Sequence, residues 1–310
     1  MTHEWSPERE IGPDLAARVI GEQFPELAGL PVRAFDAGWD NAVLAVGDDW
    51  LFRFVHRAIA LRGARHEVAV LRHLADRFPV PIPYPRYLGA PTDEVPWPFW
   101  GTRALPGVEL AHAGLADGDR VPLARAVGGF LRELHAPALA QGTSAALAAD
   151  GLSLLVDPNR RSEPDVVAER ARGALDQLAA LGWHEPADVD AVLSEARRVG
   201  PADPADAVLV HGDLHVRHLL VADGAPTGVI DWGDTALADP CVDLMIGFAA
   251  FDGAARAAFL DAYGPVTPDR ELRARAVAIR VTASLAHSAA VEGLEAVRRE
   301  ALAAIARATR

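Results

Sequence analysis

The segment HGDLHVRHLL (residues 211–220), followed by GVIDWGDTALADPCVDL (residues 228–244), decides how the rest of this chain is read. Leu219-Leu220-Val221 and Gly228-Val229-Ile230 are short apolar runs, and Ala222-Asp223-Gly224-Ala225-Pro226 between them is a turn sequence. Antiparallel pairing puts the start of one strand beside the end of the other. His218 and Asp231 are therefore expected side by side. Asp213 stands on the loop that leads into the hairpin, behind a further apolar run, Val208-Leu209-Val210. Three groups able to hold a cation or a proton converge on one edge of a two-stranded unit. A lone aspartate at a strand end is usually a turn residue, and a lone loop histidine is usually a hydrogen-bonding group. The string as a whole is far more specific than either.

This constellation suits phosphoryl transfer. That reaction needs a metal to neutralise phosphates, a cation to position them and a carboxylate to orient the attacking hydroxyl. Mg²⁺ favours oxygen ligands and usually takes one or two carboxylates plus substrate phosphates. Asp231 fits the metal role. Asp213, on a polar loop just after Gly212, fits the hydroxyl-orienting role.

Working outward, residues 13–28 carry Leu15, Val19, Ile20 and Phe24 at helical spacing. Segments 32–37, 42–47 and 50–55 are apolar or alternating, and the turns Gly38-Trp39-Asp40-Asn41 and Gly47-Asp48-Asp49 separate them. They predict a three-stranded antiparallel meander. A helix is predicted over 61–77, ended by the prolines between Pro79 and Pro85. Short strands follow at Tyr87–Gly89 and Phe99–Ala104, then the connector Leu105-Pro106-Gly107. Beyond it the spacing predicts helices over 118–136, 164–181, 187–199, 254–263 and 268–308. The expected fold class is α+β, with a β-rich domain over 1–105 and a mainly helical domain over 106–310 that carries the hairpin.

HGDLHVRHLL with GVIDWGDTALADPCVDL resembles the catalytic core of aminoglycoside phosphotransferases and their macrolide-phosphorylating relatives, distant cousins of protein kinases. The resemblance covers roughly residues 10–265. It implies a two-lobed protein-kinase-like fold and a kinase that moves the γ-phosphate of ATP or GTP, with Mg²⁺ or Mn²⁺, to a hydroxyl of an antibiotic-like acceptor (aminoglycoside or macrolide), the alternative acceptor being an unrelated metabolite alcohol. On the family's H-x-D-x-x-x-x-N loop, His211 falls at the structural histidine, Asp213 at the catalytic aspartate and Asp231 at the second metal ligand. His218 stands where the family has asparagine, as in macrolide phosphotransferases, and imidazole is a poorer Mg²⁺ ligand than an amide oxygen. Gly38 and Asn41 match the phosphate-covering turn. Arg53 and Glu67 match the strand lysine and helix glutamate, with arginine replacing lysine; Arg62 and Arg65 are rival phosphate partners. Backbone groups near Arg103 and Leu105 would meet the purine. Asp234, with Asp239 and Asp252, is a candidate for binding a cationic acceptor, although Asp239 and Asp243 equally suit helix capping.

Net charge is −13, which argues against nucleic acid as a partner and permits an amine-bearing acceptor. All 30 basic residues are arginine. Cys241 is the only cysteine, so a reducing cytoplasm is expected. No apolar run approaches a membrane span, and a monomer or homodimer is expected. Two other readings compete. His211, Asp213, His215, His218 and Asp231 can be read as a metallohydrolase cluster. The replacements at residues 53 and 218 suit a nucleotide-binding protein without transferase activity.

Overall fold

The computed structural model describes residues 8–37 and 41–310. The chain packs as two units: residues up to Ala75 with Ile82–Leu105, and Asp76–Pro81 with Pro106–Arg310.

In the first unit, helix α1 (Pro13–Gln23) precedes strands β1 (Val32–Ala37), β2 (Asn41–Val46) and β3 (Trp50–Val55). Helix α2 (Leu61–Leu74) and strands β4 (Pro85–Gly89) and β5 (Phe99–Arg103) follow. The predicted meander is part of a five-stranded sheet ordered β1-β2-β3-β5-β4, antiparallel throughout. Because strand side chains alternate between faces, Phe52 and Phe54 enter one core with Ile20, Leu44 and Phe99. Val55 joins Ala64 and Trp100 on the other side. Arg53 shares the face of Val55, which is why it meets α2. Helix α1 is shorter than predicted: Phe24 is forced out of the helical region ahead of Pro25.

The second unit opens with β6 (Val108–Glu109), followed by helices α3 (Val121–Leu134), α4 (Pro137–Ala149), α5 (Pro164–Ala180) and α6 (Val189–Val199). Strands β7 (Val208–Val210), β8 (Leu219–Ala222), β9 (Ala225–Val229) and β10 (Ala236–Ala238) come next. Helices α7 (Cys241–Ala249), α8 (Gly253–Tyr263), α9 (Pro268–Glu292) and α10 (Glu295–Ala308) complete the chain. The expected hairpin is β8–β9, and its Asp223-Gly224 turn has both residues at positive φ, as a tight hairpin turn demands. β7 pairs instead with β10, and β8 also accepts β6. The long helix predicted over 268–308 breaks at Gly293, whose left-handed φ of 75° ends α9. α7 escaped the periodicity reading because all nine of its residues are buried, so it has no polar face to set a period. No helix of the described residues is long and apolar enough to cross a membrane.

Candidate active site

The loop between β7 and β8 is held by backbone-directed contacts. Asp243, fully buried in the first turn of α7, accepts the N–H of His211 at 2.7 Å and of Gly212 at 2.9 Å. His135, the residue just after α3, donates to the same carboxylate from Nε2 at 3.2 Å. Burial pushes the Tyr263 hydroxyl up to about 12, so it keeps its proton and lies 2.9 Å from His135 Nδ1. Burial opposes the charge on Asp243, but the His135 hydrogen bond and the loop N–H groups outweigh it and hold the carboxyl below its ordinary range. Asp243 is therefore more than a helix-capping residue: it anchors the loop between β7 and β8. Gly212 is required there. Its φ is +89°, and a Cβ would sit 2.2 Å from the Asp234 carbonyl oxygen.

His211 is fully buried, donates from Nε2 to the Ile230 carbonyl at 3.0 Å, and accepts the Asp213 N–H on Nδ1 at 3.2 Å. Burial pushes its pKa down, keeping the ring neutral. It joins the loop to the end of β9 and positions Asp213. Trp232 packs edge-on against it, centroids 4.8 Å apart, with its indole N–H on the Val229 carbonyl.

Asp213 is partly exposed. His218 Nδ1 donates to its backbone carbonyl at 2.9 Å, so Nε2 is the ring nitrogen left for another partner. That nitrogen lies 3.4 Å from Asp231 Oδ2. Sequence reasoning placed these two side by side, and they are. Asp231 has a left-handed φ of 66°, uncommon outside glycine and tolerated by aspartate. An imidazole nitrogen and a carboxylate oxygen at this spacing are a donor set that fits a divalent cation. The nitrogen favours Mn²⁺ or another borderline ion over Mg²⁺. His215 stacks on His218 at 3.9 Å and points Nε2 at Asp213 Oδ2, 3.7 Å away. Burial, then the neighbouring His218, holds His215 well below its ordinary value. Ligand atoms of Asp213, His215 and His218 all lie within 4.8 Å of one another.

The other oxygen of Asp213 faces a residue the sequence did not flag. Arg161 Nη2 is 3.3 Å from Asp213 Oδ1 and 2.9 Å from Asp234 Oδ2, and Nη1 donates to the Gly212 carbonyl. Asn159 donates to the other Asp234 oxygen at 3.2 Å. Burial disfavours the Arg161 charge, but Asp213 and Asp234 together raise its pKa. The loop is fixed by Asp157, which accepts N–H groups from Arg161 and Ser162 and the Ser162 hydroxyl. The string Asp157-Pro158-Asn159 carried a turn signal, the one hint that this loop is ordered. Arg280 on α9 lies in the field of the same carboxylates. Burial, with Arg161 beside it, pushes its pKa down.

Of the remaining acidic candidates, Asp239 pairs with Arg270 at 3.0 Å and caps Cys241, while Asp252 caps α8 and pairs with Arg310. Neither joins Asp234. In the first unit, Arg53 Nη1 meets Glu67 Oε1 at 2.9 Å, and Glu67 is buried. Arg103 ends β5 beside Asp49 and over the Trp50 ring, and Leu105 is the last residue of this unit. Asn41 Oδ1 is sealed from solvent without a hydrogen-bond partner among the described residues. Gly38 lies outside the described residues.

A sheet-borne Arg–Glu pair in one unit, and in the other an H-x-D loop beside a hairpin aspartate, define a phosphotransferase of kinase-like fold. The model of the phosphotransferase enzyme family (APH) matches residues 31–276, and the chain belongs to that family. The GDP complex of wild-type aminoglycoside 2'-phosphotransferase-IIIa shares the fold, with a TM-score of 0.64 at 23% identity over 96% of this chain and 99% of that one. The GDP and kanamycin complex of APH(2")-IIia is 25% identical over 94% and 97%, with a TM-score of 0.62. Macrolide 2'-phosphotransferase MphH from Brachybacterium faecium is 26% identical over 94% and 97%, with a TM-score of 0.57. Among curated proteins, the uncharacterised protein YcbJ of Bacillus subtilis (strain 168) is 36% identical over 61 residues. That match covers 19% of this chain and about one fifth of the length of YcbJ, 20%.

Proposed function

We propose that the protein is a small-molecule kinase that transfers the γ-phosphate of ATP or GTP to a hydroxyl of a small acceptor. The observation that carries this reading is the catalytic loop: Asp213 is held by His211 and by His218, whose far nitrogen faces Asp231. The acceptor oxygen forms the new bond to phosphorus as the bond to the nucleoside diphosphate breaks, and the hydroxyl proton passes to the Asp213 carboxylate. Asp213 aligns that hydroxyl, a task of position more than of basicity. His218 and Asp231 would hold a divalent cation, which supplies charge neutralisation at the phosphates. Arg53, braced by Glu67, holds nucleotide phosphates bidentately. Gly38 and Asn41 cover them, and backbone groups at Arg103 and Leu105 meet the base.

Support comes from the family and from the nucleotides and acceptors named for solved relatives, which include GDP, ATP, kanamycin and streptomycin. Aminoglycosides and macrolides therefore head the acceptor screen, run with ATP and GTP separately. Asp213→Ala should lower turnover roughly 10²–10⁴-fold with the nucleotide KM little changed; wild-type turnover in that variant would refute the assignment. A second reading, nucleotide binding without transfer, draws on the ion pair between Arg161 and Asp213. Nucleotide binding with no transfer across the whole panel would favour it.

A further inference from the structure

Arg280 is the charged side chain that the loop geometry does not use. It sits on α9, which packs against α5, and is partly buried. Its Nε is sealed from solvent with no acceptor, and no carboxylate of the described residues lies within ion-pair distance of its guanidinium. A partly desolvated guanidinium without a protein carboxylate is a ready site for an anion that reaches its open nitrogens. Every nearby carboxylate is already engaged. Asp234 is shared by Arg161 and Asn159, and Asp213 faces Arg161. Arg161 also has a buried Nε without an acceptor. Arg170, which Arg280 also feels, donates to the Asn159 carbonyl. Arg161 thus occupies both carboxylates, and Arg280 adds a second guanidinium to the same field. An amine brought here meets local repulsion and carboxylates already taken, even though the whole chain is acidic.

We infer that the acceptor carries an anionic group, a carboxylate or a phosphate, which docks on Arg280 beside Arg161 while a hydroxyl of the same molecule meets Asp213. This rests on the kinase reading and narrows its acceptor to hydroxy acids and phosphorylated alcohols, away from polycationic amino sugars.

Two measurements test it. The first is binding of sulfate, read as a rise in melting temperature over chloride at equal ionic strength. The wild type should be protected, Arg280→Gln should not, and Arg280→Lys should keep part of the effect. Arg53→Gln should stay protected. Arg280→Gln should melt no lower than wild type in chloride, because it removes an unpaired charge. Protection that survives Arg280→Gln, or that Arg53→Gln abolishes, overturns the site.

The second is transfer to matched acceptors: glycerate against glycerol, gluconate against glucose, and glycerol 3-phosphate, with kanamycin and erythromycin alongside. Preference for the anionic members, with kcat/KM lowered about 10–100-fold in Arg280→Gln mainly through KM, supports the proposal. Preference for neutral or cationic members overturns it and leaves the kinase reading intact. No transfer to any member, with Asp213→Ala matching wild type in slow nucleotide hydrolysis, overturns the kinase reading and the acceptor assignment with it. Sulfate protection through Arg280 would then mark an anion site unconnected to transfer.

Discussion

Under the proposed function, His218 is the residue on which the metal chemistry turns. Its Nδ1–H is spent on the Asp213 carbonyl, and its Nε2 faces Asp231 Oδ2 at 3.4 Å. Asparagine at this place would offer an oxygen, which Mg²⁺ prefers, and imidazole nitrogen shifts preference toward Mn²⁺. His218→Asn should therefore lower the ratio of Mn²⁺- to Mg²⁺-supported turnover by about tenfold or more. Steady-state rates with each ion, and direct Mn²⁺ binding by electron paramagnetic resonance, check this. An unchanged ratio would remove His218 from the metal. His218 and Asp231 were legible in the sequence because hairpin register makes neighbours of strand ends, and Asp213 because it stands on the loop that leads into the same hairpin. Arg161 and Arg280 were not. One comes from a connecting loop and the other from a long helix, and spacing cannot say which arginine among 30 lacks a partner.

At the scale of elements, α7 and α10 are joined by a buried charge cluster. Arg120 and Arg307 both pair with Glu300, at 2.7 and 2.8 Å. Arg120 also donates to the Leu115 and Ala250 carbonyls, and Arg307 to Ala249 and Asp117. Removing the shared carboxylate breaks two buried ion pairs and leaves Asp117 as the one carboxylate beside both guanidiniums. Glu300→Ala should cost roughly 3–5 kcal/mol of stability, read as a lower urea midpoint with an unchanged slope; a loss within experimental error would mean that water replaces the carboxylate. None of this cluster was visible in the sequence, because its members are spread from one end of the second unit to the other. The amphipathic helices α3, α5 and α6 were visible, since each has one apolar face. α7, apolar on every side, could be found only by packing the rest around it.

For the whole molecule, the buried histidines set the acid limit. His211 and His215 are neutral in the folded protein, their pKa values pushed below the unfolded value of about 6.5 by burial. Above that pH both states are neutral and these groups do not affect folding. Below it the unfolded chain binds protons that the folded chain refuses, so stability falls with falling pH until the folded values are reached. Asp243 acts lower down: its depressed pKa gives stability that is lost only below the ordinary aspartate range. Urea unfolding should therefore show a flat free energy down to about pH 6.5 and a decline towards pH 5. His215→Gln should make that decline shallower, and an equal slope in the variant would assign it to other groups.

The pair between Arg53 and Glu67 carries one last consequence. A lysine at a nucleotide's phosphates becomes a nucleophile whenever it sheds its proton, and acylating nucleotide analogues exploit that. A guanidinium holds its proton at any working pH, so Arg53 offers such reagents no free electron pair. Covalent profiling that finds kinases through an active-site amine would pass this protein over, and if Arg53 holds phosphates as proposed, that cation stays fully charged in alkaline solution.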